Sequence, residues 1–197
     1  MSEQHLPDWY DDLAGFERAA WRMMARGVAD RRHGFHTPTV STVNGNGRPD
    51  ARTVVLRAVD EEWRTLRFHT DRRAAKVAQL RALPHAMIVL YDKNAKLQVR
   101  VIGKAELHDV NSEIGIAAWS ATRSFSRECY RVEPAPGSAI LHGGDFSFAE
   151  PSEDGENGRD DFLAVVIRAE SVEALYLASV GHRRARFADG KGEWLVP

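Results

Sequence analysis

From His36 onward the spacing of apolar residues changes from a helical period to a strand period, and it holds there for most of the chain. Thr39-Val40-Ser41-Thr42-Val43 alternates and ends at Asn44-Gly45-Asn46-Gly47, residues that accept positive φ at little cost and so mark a hairpin. Arg52 to Val59 reads as the return strand, Asp60-Glu61-Glu62 as a turn, and Arg64 to Thr70 as a third strand. Ala86-Met87-Ile88-Val89-Leu90-Tyr91 is nearly all apolar, which predicts a central strand. Lys96 to Leu107 is a long strand in which Gly103 marks a bulge or a close approach. Phe162 to Arg168 and Glu173 to Ala178 read as a strand pair. Arg184 to Phe187 and Glu193 to Val196 read as a terminal hairpin turning through Asp189-Gly190-Lys191-Gly192. Six or more strands with few helices predict a mainly β (α+β) chain closed into an antiparallel barrel.

The helices flank this barrel. Asp8 to Asp30 is amphipathic, with Leu13, Phe16, Ala20 and Met23 at helical spacing, Asp11 or Asp12 as its cap, and a barrel end as the surface it covers. Asp71 caps a second helix from about Arg72 to Leu83, stopped by Pro84, and Asn111 to Ser120 forms a third. Residues 149–161, rich in Gly, Glu, Asp and Asn, are expected to be a mobile loop. The strands after that loop are too few to fold alone. Residues 1–197 therefore read as a single domain, with 1–34 as an N-terminal helical extension.

Charge and composition exclude several functions. The net charge is −1, and basic residues alternate with acidic ones, so no field attracts nucleic acid. No window approaches the ~20 apolar residues of a membrane span, and the first residues lack a signal-type apolar run; a cytoplasmic protein is expected. Cys129 is the only cysteine, which rules out an intrachain disulfide and argues against a cysteine-based metal site. The eight histidines are scattered without His-x-x-x-His spacing, so no metal is expected. No Gly-x-Ser-x-Gly elbow is present.

The chemistry lies in one ordered set of residues. Arg52-Thr53-Val54-Val55-Leu56-Arg57 is an apolar strand with a cation near each end. His69-Thr70 follows, then a helix bearing Lys76, then Gln98-Val99-Arg100-Val101-Ile102-Gly103-Lys104-Ala105. Fixed cations around a strand core suit a ligand with a flat apolar body and an anionic tail. In order and spacing this set resembles the FMN-binding split-barrel family of pyridoxamine phosphate oxidase, whose members carry Arg-x-Val-Leu-Leu-Lys, an aromatic–Thr pair, Ser-Arg-Lys and Gln-Val-x-x-x-Gly-x-Ala.

The resemblance implies a split β-barrel, FMN as cofactor, and a homodimer with FMN at its interface. It implies that Arg52, Thr53, Val54, Val55, Leu56, Arg57, Thr70 and Lys76 hold the ribityl phosphate and one ring edge. His69 stands in the aromatic position, Gln98 bonds the ring, Tyr176 takes the place of a ring-contacting Trp, and Arg186 approaches from the last strands. Ala74-Ala75 replace Ser-Arg on the helix, leaving Arg72 or Arg73 to compensate. For a small-molecule substrate, the resemblance points to Arg123, Ser124 and Arg127 in the stretch after the third helix, and to His182 and Arg184, where the family has Arg-x-His-Asp-Arg-Phe. The implied activity is flavin-dependent oxidoreduction of an unidentified small molecule. True pyridoxamine or pyridoxine phosphate oxidation, or a non-catalytic flavin- or haem-binding barrel, are the alternatives.

Overall fold

A computed structural model describes residues 6–150, 156 and 158–197. The expected mobile loop falls partly beyond this, since 151–155 and 157 lie outside the described residues. The helices are α1 (Leu13–Ala29), α2 (Ala75–Ala82), α3 (Glu113–Ser120) and α4 (Ser124–Arg127). The strands are β1 (Thr39–Val43), β2 (Pro49–Thr53), β3 (Leu56–Asp60), β4 (Thr65–Asp71), β5 (His85–Asp92), β6 (Leu97–His108), β7 (Val132–Glu133), β8 (Ser147–Phe148), β9 (Phe162–Tyr176), β10 (Arg183–Ala188) and β11 (Lys191–Leu195). Every pairing is antiparallel.

The sheet runs β11-β10-β9-β6-β5-β1-β2, with β4 bound to both β3 and β9. Strands β2 and β3 make this a barrel. The chain leaves β1 at Thr53, passes through Val54 and Val55, and joins β4 at Leu56. One run of sequence therefore closes the ring β1–β2/β3–β4–β9–β6–β5. The single return strand expected over Arg52–Val59 is two strands, because that run exchanges one partner for the other midway.

The strand pair expected over 162–178 is likewise one strand. β9 spans 15 residues, and β6 pairs with it from Ala164 to Tyr176. The apolar pattern breaks near Glu170 because a bulge lies there: Ile102 faces Ser171 while Gly103 faces Ala169, so Glu170 is the extra residue. Gly103 is required at this point, since a Cβ there would sit 2.1 Å from the Arg168 carbonyl oxygen. On its other edge β9 holds β4 along its first half and β10 along its second.

α1 buries Phe16, Ala20, Trp21 and Met24 in the same apolar cluster as Val40, Leu66, Phe68, Ile88, Val101 and Ile167. Side chains of this size stabilise by roughly 1.5–3 kcal/mol each when fully buried. The predicted first helical turn is absent; residues 8–11 form turns, and Trp9 and Tyr10 pack edge-on against Tyr176. Asp12 takes the N-cap position through its carbonyl alone. A second cluster of Val110, Ala118, Trp119, Tyr130, Phe162 and Ala164 seats α3 and the following turns on the outside of β9. α2 starts at Ala75 rather than Arg72, because the Asp71 carboxylate accepts from Arg73 N at 2.8 Å and holds a turn before the helix.

Candidate functional site: two cation clusters on one run of strands

The first cluster lies between β2 and α2. Arg52 donates to Thr42 Oγ1 at 2.7 Å and Gln79 Oε1 at 3.3 Å, and pairs with Asp50 at 2.6 Å. Gln79 donates to the same Asp50 carboxylate at 2.7 Å. Lys76, one turn before Gln79, donates to Thr70 Oγ1 at 3.0 Å. Burial, then the nearby Arg52 charge, lowers the Lys76 pKa. The Gln79 hydrogen bond and Arg52 hold the Asp50 carboxyl below the usual range. Arg52, Thr70 and Lys76 therefore come together, while Arg57, expected beside them, lines the separate cavity on the other side of β4 because a bulge redirects it. Thr42, Asp50 and Gln79 complete the network, and the spacing Lys76–Gln79 on one helical face is the signal that marks Gln79.

The second cluster opens on the other side of β4. A cavity of about 230 Å³ is lined by Arg31 and His36 from the segment after α1, Arg57 from β3, Arg67 and His69 from β4, and Thr122 and Arg123 from the turn after α3. Two devices assemble it. Arg57 is the extra residue of a bulge, with Leu56 facing Phe68 and Ala58 facing Arg67, so its side chain leaves the regular alternation. Arg67 and His69 share the outer face of β4, which the α3–α4 turn covers. Among the described residues no carboxylate lines this cavity, and none of its four arginines forms an ion pair. Arg67 Nε and His69 Nε2 are buried without hydrogen-bond partners. Burial, then Arg67 and Arg57, pushes the His69 pKa down to about 3.

The remaining expected residues are elsewhere. Thr53 and the half-buried Val54 and Val55 form the crossover, while Leu56 is in the barrel core. Gln98 and Arg186 lie on the outer sheet face, where Arg186 pairs with Glu193 at 2.6 Å. Arg184 shares that face; one oxygen of Glu173 accepts from Arg184 Nε at 3.1 Å and from Arg100 at 3.0 Å. Tyr176 does not join either cluster, because its ring is buried under Trp9 and Tyr10. His182 accepts from Ala178 N and is exposed. Ser124 is exposed at the start of α4. Arg127 is committed to the protein: it donates to the carbonyls of Thr122 and Trp119 and lies 4.4 Å over the Trp119 ring. Neither Arg72 nor Arg73 compensates for Ala74-Ala75. Arg73 is held by Asp71, Glu133 and Asp161, and Arg72 donates to the Asp160 carbonyl.

The donor set of the first cluster fits a phosphate: two cations and a hydroxyl converge, and burial leaves Lys76 under-compensated. The closed antiparallel ring that carries this cluster is a split barrel. A family model described as "Pyridoxamine 5'-phosphate oxidase, FMN-binding domain" matches residues 18–109. The pyridoxine/pyridoxamine 5'-phosphate oxidase 2 of Arabidopsis thaliana is 31% identical over 133 residues, covering 63% of this chain and 67% of that protein. The pyridoxine/pyridoxamine 5'-phosphate oxidase of Burkholderia vietnamiensis is 41% identical over 71 residues, which is 36% of this chain and only 32% of the relative. Among solved structures, a pyridoxamine 5'-phosphate oxidase-related, FMN binding protein of Nostoc punctiforme superposes with a TM-score of 0.68 at 25% identity, over 98% of this chain and 100% of that one. PhzG from Burkholderia lata superposes with a TM-score of 0.72 over the full length of both chains, and at 18% identity it shares the fold. The chain belongs to the pyridoxamine 5'-phosphate oxidase family of FMN-binding split-barrel proteins. Among the described residues no helix is long and apolar enough to cross a membrane, and no group of three or more His, Cys, Asp or Glu is placed to hold a metal ion.

Proposed function

We propose that this chain is an FMN-dependent oxidoreductase acting, as a cytoplasmic homodimer, on a small molecule that carries an anionic group. The observation that supports it is the pair of cation clusters on β2–β4. One is hydrogen-bonded and shaped for a phosphate; the other has no acid to neutralise it. Arg52, Lys76 and Thr70 hold the FMN phosphate, with Asp50 giving up part of its bond to Arg52 when the ligand arrives. Arg57, Arg67 and Arg123 hold the anionic end of the substrate. Bound FMN supplies two-electron redox chemistry, and the protein supplies position and charge.

The outer sheet face, where Arg184 and Arg186 lie, supports the dimer. A second copy brings Arg186, with Arg184 and His182, to the first copy's cofactor. The outer face it would cover exposes Tyr91 and Ile102.

The test is the visible spectrum of freshly purified protein, with the released ligand identified. FMN bands, followed by anaerobic bleaching on adding pyridoxamine 5'-phosphate or another anionic amine, support the reading. The first compound is the one named in the relatives, and it carries a phosphate. A colourless protein that also fails to take up added FMN overturns it.

A further inference from the structure

The acid-free cavity contains a histidine whose hydrogen bonds fix its tautomer. Thr122 Oγ1 has one proton and donates it to the Ala118 carbonyl at 2.8 Å. Its 3.5 Å contact with His69 Nδ1 therefore requires the ring nitrogen to be the donor. A neutral ring protonated at Nδ1 leaves Nε2 a bare acceptor. That Nε2 is buried and unpartnered, and the charged side chains lining the cavity are all arginines. The arrangement is unfavourable on its own: Arg67 Nε and His69 Nε2 each forgo a hydrogen bond, and the guanidinium charges oppose one another. An oxyanion entering the cavity reverses both terms. It accepts from the arginines, and it makes a proton on Nε2 favourable, because Nε2–H then donates to it.

We infer that an anion entering this cavity takes up a proton from solvent on His69 Nε2, so that His69 acts as a proton-coupled clamp and the substrate's anionic group binds with one hydrogen ion. This rests on the substrate reading above. The charged and titratable groups facing His69 are Arg67 on its own strand, Arg57 on β3, Arg31 and His36 from the segment after α1, and Arg123 from the α3–α4 turn. From β9 it pairs with Ala164 and meets the Phe162 ring at 4.8 Å, neither of them charged, and Tyr130 lies behind that ring. His36 already donates from Nδ1 to the Gly27 carbonyl at 2.7 Å, so it is the one competing proton acceptor in the cavity.

Sulfate is the probe, because it does not change charge over the range tested. FMN is added first, so that the Arg52–Lys76 cluster is occupied. Titration calorimetry between pH 5 and pH 8 should show sulfate affinity falling by roughly tenfold per pH unit, with about one proton taken up per sulfate bound. His69→Gln should remove the slope, and His36→Gln should leave it. Arg67→Met should weaken binding at every pH. On the folded holoprotein, imidazole nitrogen shifts should show Nε2 of His69 becoming protonated as sulfate is added at pH 6. Affinity independent of pH, a slope that survives His69→Gln, or an unprotonated Nε2 in the saturated protein would overturn the proton coupling and leave the oxidoreductase reading intact. A protein that refuses FMN yet binds sulfate with this slope would do the reverse.

Discussion

The two cation clusters differ in how they treat charge before any ligand arrives. Arg52 and Lys76 are already hydrogen-bonded to Thr42, Gln79, Asp50 and Thr70, so their side chains are positioned and their charge is partly answered. Arg57, Arg67 and Arg123 meet no carboxylate among the described residues, and they surround a histidine kept neutral. The first arrangement suits a cofactor that stays bound; the second suits a ligand that comes and goes. A preorganised site loses less entropy on binding. An unanswered one stores repulsion that only an anion relieves.

Removing the first cluster should have the largest effect. Charge-assisted hydrogen bonds contribute roughly 1.5–3 kcal/mol each, so Arg52→Ala with Lys76→Ala should weaken FMN by at least about 100-fold in a fluorescence-quenching titration. Unchanged affinity would move the phosphate elsewhere and dissolve the contrast. Next in size is the frame on which both clusters depend. Gly103→Ala places a methyl 2.1 Å from the Arg168 carbonyl oxygen, and chemical denaturation should show a loss of roughly 2 kcal/mol or more.

Arg67→Met should give opposite signs in two assays. The ligand-free protein gains up to about 1 kcal/mol, because Arg67, whose buried Nε has no hydrogen-bond partner, is replaced by an unbranched apolar chain, while anion affinity falls. If stability falls instead, the second cluster is not under strain. His69 predicts an acid effect of definite sign. Its folded-state pKa of about 3 lies below its ordinary value of 6.5, so between these values the unfolded chain binds the extra proton. Its contribution is complete above pH 6.5 and is lost progressively as pH falls toward 3. Tm in sulfate-free buffer should therefore drop less with acid in His69→Gln than in the parent. The smallest change is expected from Asp50→Asn, which frees Arg52 from an exposed partner and should tighten FMN by about twofold.

The sequence shows most of the fold and half of the site. The hairpin at Asn44–Gly47 is legible because its chemistry is local: Asn44 Oδ1 accepts from Asn46 N and Arg48 N, and Gly47 has φ of 74°. Arg52, Thr70 and Lys76 are legible because their order along the chain is the family's order. The acid-free cavity is not. Arg67 looks like an ordinary outward residue of a strand, and His69 is marked only by the family's aromatic–Thr pair, until α3 and its turn, some fifty residues later, cover them. The bulge that redirects Arg57 leaves no mark in composition. Arg73 misleads for the same reason, since Glu133 and Asp161, two of the three carboxylates that hold it, are far along the chain. Strand β9 reads as two pieces because Glu170 interrupts its alternation, and only its partner β6 shows the continuity.

That continuity has a consequence for how the molecule reaches its native state. β9 must find β6, and then β4, across long stretches of intervening chain: Lys104 pairs with Arg168, and Thr65 pairs with the same residue. Loop closures of this length are slow steps in folding. β4 carries Thr70 and His69, and β10 carries Arg184 and Arg186; both are bound to one edge of β9. The strands that carry these two sets of residues are thus expected to dock in a single late event, so a chain arrested before β9 docks would have neither.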